Sequence, residues 1–431
     1  MTLDSAEEHW SNLSLLKLSA FGFGMIGLLL AMDTVILPVL VLEVSPESLK
    51  NTYLSVIGLA GLIVAGAVQL FIGRYSDRTQ SPLGRRVPFL IWGCGMVCLG
   101  LVGIGFAQSL VVLLLVWLFI QANLNVAYGP YQALIRDLVP IHRIGVASSI
   151  KILSDGAGSL FLIVVAGRLI ERTGGPDFIS WKWITLAIIA VVLMSSTVIT
   201  SITVRARESA TELTKRLSGL VKQPAEGLHP QLRRFLLSRL LIITAITAFP
   251  TYGLFFLSDS IGVDNPAQSL TNMIPAVGGA FVLAVYPAGW ISDRVGRKPV
   301  ILTGAIGASA GAAWMILANS AGDVMITASL MGASIGILMS SNWALANDLG
   351  TSGKEGMHMG IVNLSTTGGA ASSKLMGPGI DLLNRISDGR GYDALFITTS
   401  TLFILGALLL MPLRVETPSA SSASTVTQSP G

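Results

Sequence analysis

The chain has 431 residues, of which 52% are hydrophobic and only 12% are charged, and its mean hydropathy is +0.69. A soluble protein is about one-quarter charged, so these few charges leave an apolar excess that must face lipid. The net charge of +4 comes from basic residues that form no dense patch, which argues against a nucleic-acid partner.

Apolar runs long enough to cross a bilayer as helices recur along the whole chain. The first run follows an acidic, polar start and is too long for the core of a signal peptide, so we predict that it is a membrane span. The runs lie at 15–42, 51–73, 87–108, 110–135, 144–167, 182–203, 235–258, 267–290, 299–318, 322–346, 356–380 and 392–413. The sequence therefore predicts an all-α membrane protein with twelve transmembrane helices.

Most connectors are short, and one longer polar stretch divides the spans six and six. The predicted domains are an N-terminal six-helix bundle (1–203), a cytoplasmic linker (204–231), a C-terminal six-helix bundle (232–413) and a disordered tail (414–431) rich in Ser, Thr and Pro. Lysines and arginines concentrate in the connectors that share a side with both termini. This bias predicts a multi-pass protein of the cytoplasmic membrane with both termini in the cytoplasm.

The two halves of the chain repeat one another. Residues 73–78 return 216 positions later as residues 289–294, with glycine, serine, aspartate and arginine at matching places. Each copy leads to a basic cluster. Farther along, a constant offset of 211 pairs Asp137 with Asp348 and Gly158 with Gly369. An even number of spans separates the copies, so the halves have parallel orientation.

This doubled motif resembles that of the major facilitator superfamily, a resemblance that covers essentially the whole chain. It implies two pseudo-symmetric six-helix bundles that rock about a central cavity. The aspartates would accept charge-assisted hydrogen bonds from arginines or helix N-termini and so hold a gate shut. The alternative is that these charges only anchor the loops. The predicted gating residues are Gly73, Asp77, Arg78, Gly84, Arg85, Arg86, Asp137, Gly289, Asp293, Arg294, Gly296, Arg297, Lys298 and Asp348.

Within the superfamily, the long first motif (73–89) and the segment 129–138 are similar to those of sucrose carriers and of glycoside–pentoside–hexuronide:cation symporters. Plant-type sucrose carriers usually have an arginine where this chain has Gln132. In the resembled symporters, a carboxylate on span one and cations on spans five and eleven belong to the coupling and sugar sites.

Ionisable residues lie deep inside the first, fifth and eleventh predicted spans, where each costs at least about 2.5–3.5 kcal/mol to insert. A carboxylate beside a cation takes up a proton or Na⁺ as its partners rearrange. The predicted cation-coupling residues are therefore Asp33, Lys151, Asp155 and Lys374, with H⁺ or Na⁺ as the coupling ion and no metal site or other cofactor. The alternative is that Lys151 and Asp155, one turn apart, form only an intrahelical pair and that Lys374 extends to the membrane surface.

Polar residues of spans four and ten are the candidates for solute binding. Gln121, Asn125 and Gln132 share one helical stripe, which suits either a hydroxyl-rich solute or interhelical packing. The predicted solute-binding residues are Gln121, Asn125, Tyr128, Gln132, Asn342, Trp343 and Asn347.

The sequence thus predicts a secondary active transporter, not an enzyme. It would move a small polar solute, a sugar or glycoside, by H⁺ or Na⁺ symport with alternating access, as a monomer in the lipid bilayer. Two alternatives stay open: an exporter or facilitator of an apolar compound with the same fold, and a membrane receptor that binds solute without moving it.

Overall fold

The computed structural model describes residues 10–79, 81–140, 143–170, 178–211, 230–349 and 355–413. Most of the predicted linker (204–231) and the predicted tail (414–431) lie outside the described residues. The described residues are mainly helical, which confirms the predicted fold class. The helices are α1 (Asn12–Ala31), α2 (Leu37–Val44), α3 (Lys50–Arg78), α4 (Val87–Gly105), α5 (Leu110–Leu138), α6 (Ile144–Leu169), α7 (Phe178–Thr211), α8 (Pro230–Asp259), α9 (Pro266–Val295), α10 (Arg297–Met315), α11 (Ala321–Asp348), α12 (Glu355–Lys374), α13 (Gly377–Asn384) and α14 (Arg390–Leu408).

Each of the twelve predicted spans corresponds to one helix or to two helices that follow one another in the chain. Span one comprises α1 and α2, joined by a π-helical turn, Met32–Ile36, and span eleven comprises α12 and α13. Ten stretches within the described residues are long and apolar enough to cross a membrane by composition alone. The other two spans are α10, which is rich in glycine and alanine, and α12, which is rich in glycine, serine and threonine. Small residues let helices pack closely but lower the hydropathy of a span.

The contacts divide the described chain into two compact units. The first contains the described residues of 1–224, 250–275 and 374–391, and the second those of 225–249, 276–373 and 392–431. The first unit therefore holds all six spans of the first half together with short segments of the second half, namely the ends of α8 and α12, the start of α9, and α13. This membership places residues of both sequence halves in direct contact within one unit.

Small residues fix the crossing of α1 with α6. A Cβ atom added at Gly158 of α6 would overlap the carbonyl oxygen of Phe23, and one added at Gly27 of α1 would lie 2.6 Å from the carbonyl oxygen of Gly158. A glycine on each helix leaves no Cβ at these two contacts, so the backbones approach closely. Lipid tails give helices no hydrophobic reason to associate, and such close packing is a main source of helix association in membranes.

We expect Gly158→Ala to destabilise the protein by about 1–3 kcal/mol because α1 and α6 must separate to admit the methyl group. Gly156→Ala, two residues earlier in α6, is the matched control, since its Cβ would meet no atom within 4 Å. The control should be neutral or stabilising by up to about 1 kcal/mol through helix propensity. Thermal unfolding in detergent measures both. Equal melting temperatures for the two variants would contradict the packing.

Candidate functional site: paired charges inside the helices

Asp33 and Lys374 form an ion pair within the first unit. Lys374 Nζ lies 2.9 Å and 2.8 Å from the two carboxylate oxygens of Asp33 and 3.1 Å from Thr251 Oγ1. The Lys374 side chain is 5% exposed and that of Asp33 is 35% exposed. The pair connects span one with span eleven, which are far apart in sequence. A buried cation is thereby neutralised and given three oxygen acceptors.

Two irregular helix segments bring these side chains together. Asp33 lies in the π-helical turn, and Pro38 follows within the first turn of α2. Proline has no N–H to donate to the carbonyl four residues earlier, so the helix adjusts before it. Lys374 ends α12, and its freed carbonyl accepts a hydrogen bond from Tyr252 Oη at 3.2 Å. A Cβ at Gly58 would lie 2.9 Å from the lysine Cδ, so this glycine makes room for the lysine stem.

Lys151 and Asp155 form a second pair, one turn apart on α6. Lys151 Nζ lies 2.6 Å from Asp155 Oδ2, and the two side chains are 20% and 18% exposed. The ammonium also lies 5.6 Å from the ring centroid of Tyr131. The other carboxylate oxygen, Oδ1, is buried against Gly22 and has no hydrogen-bond partner among the residues that the structure describes. The four predicted coupling residues are thus arranged as two pairs, one between helices and one within a helix.

The predicted stripe on span four divides into a buried part and an exposed part. Gln121 and Asn125 are 7% and 5% exposed, and Gln69 of α3 donates to Asn125 Oδ1 at 2.7 Å. Asn125 in turn donates to the Gln121 carbonyl at 2.8 Å. Gln132 is exposed, and Tyr128 is half-buried with its ring centroid 6.2 Å from that of Tyr131. The two buried amides therefore contribute to the contact between α3 and α5.

In the second unit, Asn342 is fully buried and accepts a hydrogen bond from Arg239 of α8. Arg239 is also fully buried and was not among the predicted site residues. The sequence could have identified Arg239, because it lies inside the predicted span 235–258, where any ionisable residue is a functional candidate. The side chains of Trp343 and Asn347 lie outside the described residues.

The first copy of the doubled motif is held by arginines of the α3–α4 connector. Arg86 lies 2.9 Å from Asp137 Oδ2 on α5 and donates to Ser76 Oγ at 2.7 Å, and Arg85 lies 3.2 Å from the same carboxylate. Gly84 has a φ of 96°, a conformation that favours glycine. These contacts join α3, the connector and α5 within the first half.

The second copy repeats part of this arrangement. Arg297 donates to Ser292 Oγ at 3.3 Å, as Arg86 does to Ser76, and Gly296 has a φ of 99°. Arg294 lies over the ring of Trp290, and Lys298 Nζ donates to the Met411 carbonyl at 3.2 Å. The gating role of Gly289 stays a prediction. The same holds for five residues whose side-chain positions the structure does not describe: Gly73, Asp77, Arg78, Asp293 and Asp348.

A polar cluster at the N-terminus of α3 was not predicted. Asp381 of α13 is 4% exposed and accepts from Asn51 Nδ2 at 2.9 Å and from Thr52 N and Oγ1 at 2.7 Å and 2.6 Å. Lys50 Nζ lies 2.6 Å from Asp259 Oδ1, and Ser55 Oγ lies 2.9 Å from Tyr252 Oη. We call these seven residues the α3 cap cluster. It places a carboxylate from the second half of the sequence at the positive end of α3.

The model of the Major Facilitator Superfamily matches residues 18–259 and 235–430 of this chain. The chain belongs to the major facilitator superfamily. This match confirms the resemblance inferred from the doubled motif. The family consists of membrane transporters and not of enzymes.

The relatives and solved structures agree with this family. The sucrose transport protein SUT1 of Oryza sativa subsp. japonica is 34% identical over 125 residues, covering 24% of this chain and 23% of the relative. The sucrose transport protein SUT3 of Oryza sativa subsp. indica is 32% identical over 119 residues, covering 22% and 23%. The D-xylose-proton symporter has a TM-score of 0.71 at 15% identity, covering 93% of this chain and 97% of the other. The nucleoside transporter NupG has a TM-score of 0.66 at 12% identity, covering 93% and 99%.

These matches differ in what they establish. The chain spans less than a quarter of the length of the sucrose transport proteins that it matches. The solved structures are similar over nearly their full length but share few residues, so they establish the fold alone. The chain is therefore a multi-pass membrane protein with the fold of a major facilitator transporter.

We expect Asp33→Asn to lower stability more than Lys374→Met. The first change leaves a nearly buried ammonium without its counter-charge, whereas the second leaves a carboxylate that is one-third exposed. Breaking a fully buried pair costs about 3–5 kcal/mol, and removing both charges often restores stability. The double variant should therefore melt above the Asp33→Asn variant. A double-mutant cycle by thermal unfolding measures this, and strictly additive losses would contradict a direct pair.

Asp381→Ala should loosen the α3 cap cluster. Losing a helix cap costs about 1 kcal/mol, and this variant also loses the side-chain hydrogen bonds to Asn51 and Thr52. The equilibrium constant for local opening should therefore increase roughly tenfold. We would measure maleimide labelling of Ser55→Cys, a buried position, in a background with Cys94→Ala and Cys98→Ala. The control is Asp388→Ala, an exposed carboxylate nearby in the chain. Unchanged labelling in the Asp381 variant would show that the cluster does not close this end of α3.

Proposed function

We propose that this protein is a secondary active transporter that moves a sugar or glycoside together with H⁺ or Na⁺. The observation that carries the proposal is the ion pair between Asp33 and Lys374, which joins span one to span eleven. A charge inside a membrane span is costly, so a pair of them that connects two spans needs a functional reason. Cation-dependent breaking of the pair supplies one.

The chemistry of coupling follows from the contacts of the lysine. Lys374 donates to both oxygens of Asp33 and to Thr251. A proton bound to Asp33, or Na⁺ placed at its carboxylate, removes the negative charge that holds the ammonium. The ammonium then needs new acceptors, and the hydroxyl and ring oxygens of a sugar provide them. Cation and solute thus favour the same open state of the pair, which is the thermodynamic basis of symport.

The two ends of α3 support alternating access. The α3 cap cluster lies at the N-terminus of this helix, and the Arg86–Asp137 contact lies beyond its C-terminus. The helix is 29 residues long, or roughly 43 Å at 1.5 Å per residue, so the two sets of contacts lie near opposite ends of a membrane-spanning helix. The cap cluster joins the two sequence halves and must break whenever that end opens. The Arg86–Asp137 contact lies within the first half and can stay intact.

The solute class is supported by two features. The relatives with partial matches are named as sucrose transport proteins. The predicted polar stripe offers the half-buried Tyr128 and the exposed Gln132, and these neutral groups suit a hydroxyl-rich solute. The solute is not assigned as sucrose, since Gln132 stands where plant-type sucrose carriers usually have an arginine.

We further propose that the protein works as a monomer in the cytoplasmic membrane, with both termini in the cytoplasm. The excess of lysine and arginine in the connectors on the side of the termini supports this orientation. Its partners would be the lipid bilayer and the small solute. The scattered basic residues give no support to a nucleic-acid partner.

Asp33→Asn should abolish gradient-driven sugar uptake into proteoliposomes while sugar counterflow persists. Asparagine fills nearly the same volume but binds no proton at neutral pH, so the cation gradient can no longer drive transport through this residue. We expect Asp155→Asn to reduce the same uptake. The control is Asp388→Asn, an exposed carboxylate on a loop. The coupling proposal is wrong if Asp33→Asn and Asp155→Asn both keep full gradient-driven uptake.

Two results would favour the alternatives. Binding of sugar by the wild-type protein without counterflow would identify a receptor. Transport of an apolar compound that is insensitive to Gln121→Leu and Asn125→Leu would identify a carrier with an apolar passage.

A further inference from the structure

The first helix of each half, α1 and α8, can be aligned through the repeat-related glycine that packs against it. Gly158 of α6 packs against the carbonyl of Phe23 in α1. Its repeat partner, Gly369 of α12, packs against the carbonyl of Leu240 in α8, 2.7 Å from the position of an added Cβ. Phe23 therefore corresponds to Leu240, and Gly22 corresponds to the preceding residue, Arg239.

The same repeat aligns two further positions. The offset of 211 pairs Tyr131 with Asn342 and Asp155 with Thr366. In the first half, a Cβ at Gly22 would contact both Asp155 and the Tyr131 hydroxyl. In the second half, Arg239 donates to Thr366 Oγ1 at 3.1 Å and to Asn342 Oδ1. Three equivalent positions thus touch in each half. We call Arg239, Asn342 and Thr366 the second-half node.

Each half has a cation and an unsatisfied polar atom at or beside these three positions. In the first half the cation is the partly exposed Lys151, and among the described residues Asp155 Oδ1 has no hydrogen-bond partner. In the second half the cation is Arg239, and within the described part of the chain Asn342 Nδ2 has no hydrogen-bond partner. Such a group is costly to bury, and its presence in each half indicates a use, although the repeat does not pair the two residues: Asp155 aligns with Thr366, and Asn342 aligns with Tyr131. The unsatisfied atom is an acceptor in the first half and a donor in the second-half node.

The guanidinium orients this donor. Asn342 Oδ1 accepts from Arg239, so the amide is held with its Nδ2 directed away from the guanidinium. Thr366 accepts from Arg239 Nε, which fixes the plane of the guanidinium in turn. A contact needed only for packing would be served by apolar side chains at lower cost, because the surrounding core of helices is apolar. The arrangement suits a donor that is kept ready for a ligand.

We propose that the second-half node binds an oxygen atom of the transported solute through Asn342 Nδ2, with Arg239 as the positioning residue. The ligand class is a hydroxyl-rich neutral molecule whose hydroxyl or ring oxygen accepts this hydrogen bond. This inference rests on the proposed function, and it adds Arg239 and Thr366 to the solute site. It concerns binding of the solute and is separate from the role of Asp33 in coupling.

Asn342→Asp is the direct test. Aspartate keeps the acceptor for Arg239, so the melting temperature should not fall, but it replaces the Nδ2 donor with an acceptor. We would measure binding of sucrose, maltose and methyl β-glucoside to the full chain in nanodiscs. We expect the wild type to bind at least one of them, and Asn342→Asp to bind it about tenfold more weakly, the value of one good hydrogen bond. The matched control is Asn363→Asp, the same change at an exposed position of α12, which should keep wild-type affinity.

Arg239→Lys is the second test. Lysine keeps the charge but lacks the planar fork that contacts Asn342 and Thr366 together. We expect a severalfold loss of sugar affinity and a higher KM, whereas Arg233→Lys, at an exposed position of α8, should change neither. Lower stability with unchanged affinity in the Arg239 variant would assign the residue to packing and overturn the proposal.

The two proposals fail in different ways. Unchanged sugar affinity in Asn342→Asp overturns the node but leaves the coupling by Asp33 intact. Full gradient-driven uptake by both Asp33→Asn and Asp155→Asn, with weaker binding by Asn342→Asp, overturns the coupling but supports the node. Absence of binding of all three sugars by the wild type would overturn the node and the proposed solute class together.

Discussion

A hydrocarbon interior gives a charged group no water, so an ionised side chain in these helices must find a counter-charge or hydrogen-bond partners in the protein. The ion pair between Asp33 and Lys374 meets this constraint by joining two spans instead of neighbouring turns of one helix. In the proposed mechanism, the position of span one relative to the end of α12 depends on the charge of this single carboxylate. A change in that charge would then affect two helices at once, as in other switches that act through a local change of charge.

One helix, α3, connects the main features of the first unit. Its N-terminus is capped by Asp381, its glycine at position 58 accommodates the stem of Lys374, and Ser76 near its C-terminus binds Arg86. Helices transmit displacement along their axis because their backbone hydrogen bonds make them stiff. Contacts at the two ends and the ion pair between them are thus linked through one rigid element. The cap and the ion pair both involve residues from the second half of the sequence, so both are sensitive to the position of span eleven.

Much of this architecture could be predicted from the sequence. Apolar runs of about 20 residues predict membrane helices directly. The repeated motif predicted the family and the division of the sequence into two halves. The pairing of Lys151 with Asp155 followed from their spacing. The pairing of Asp33 with Lys374 did not, since it depends on a π-helical turn and on a helix break that bring distant residues together. Asp381 fell in a predicted connector and was missed for the same reason, because its partners are in another half of the chain. Arg239 was visible as a charge inside a span, but its link to Asn342 required the packing of α8.

In the proposed mechanism, the carboxyl group of Asp33 changes its state when solute binds. Infrared difference spectroscopy on the reconstituted protein tests this directly by comparing the carboxyl and carboxylate bands before and after addition of a transported sugar. We expect a sugar-dependent change in these bands in the wild type, either a new protonated carboxyl group or a shifted carboxylate, that is lost in Asp33→Asn. An identical sugar-dependent spectrum in the two proteins would rule out this role of Asp33, because the ion pair would then take no part in the response to solute.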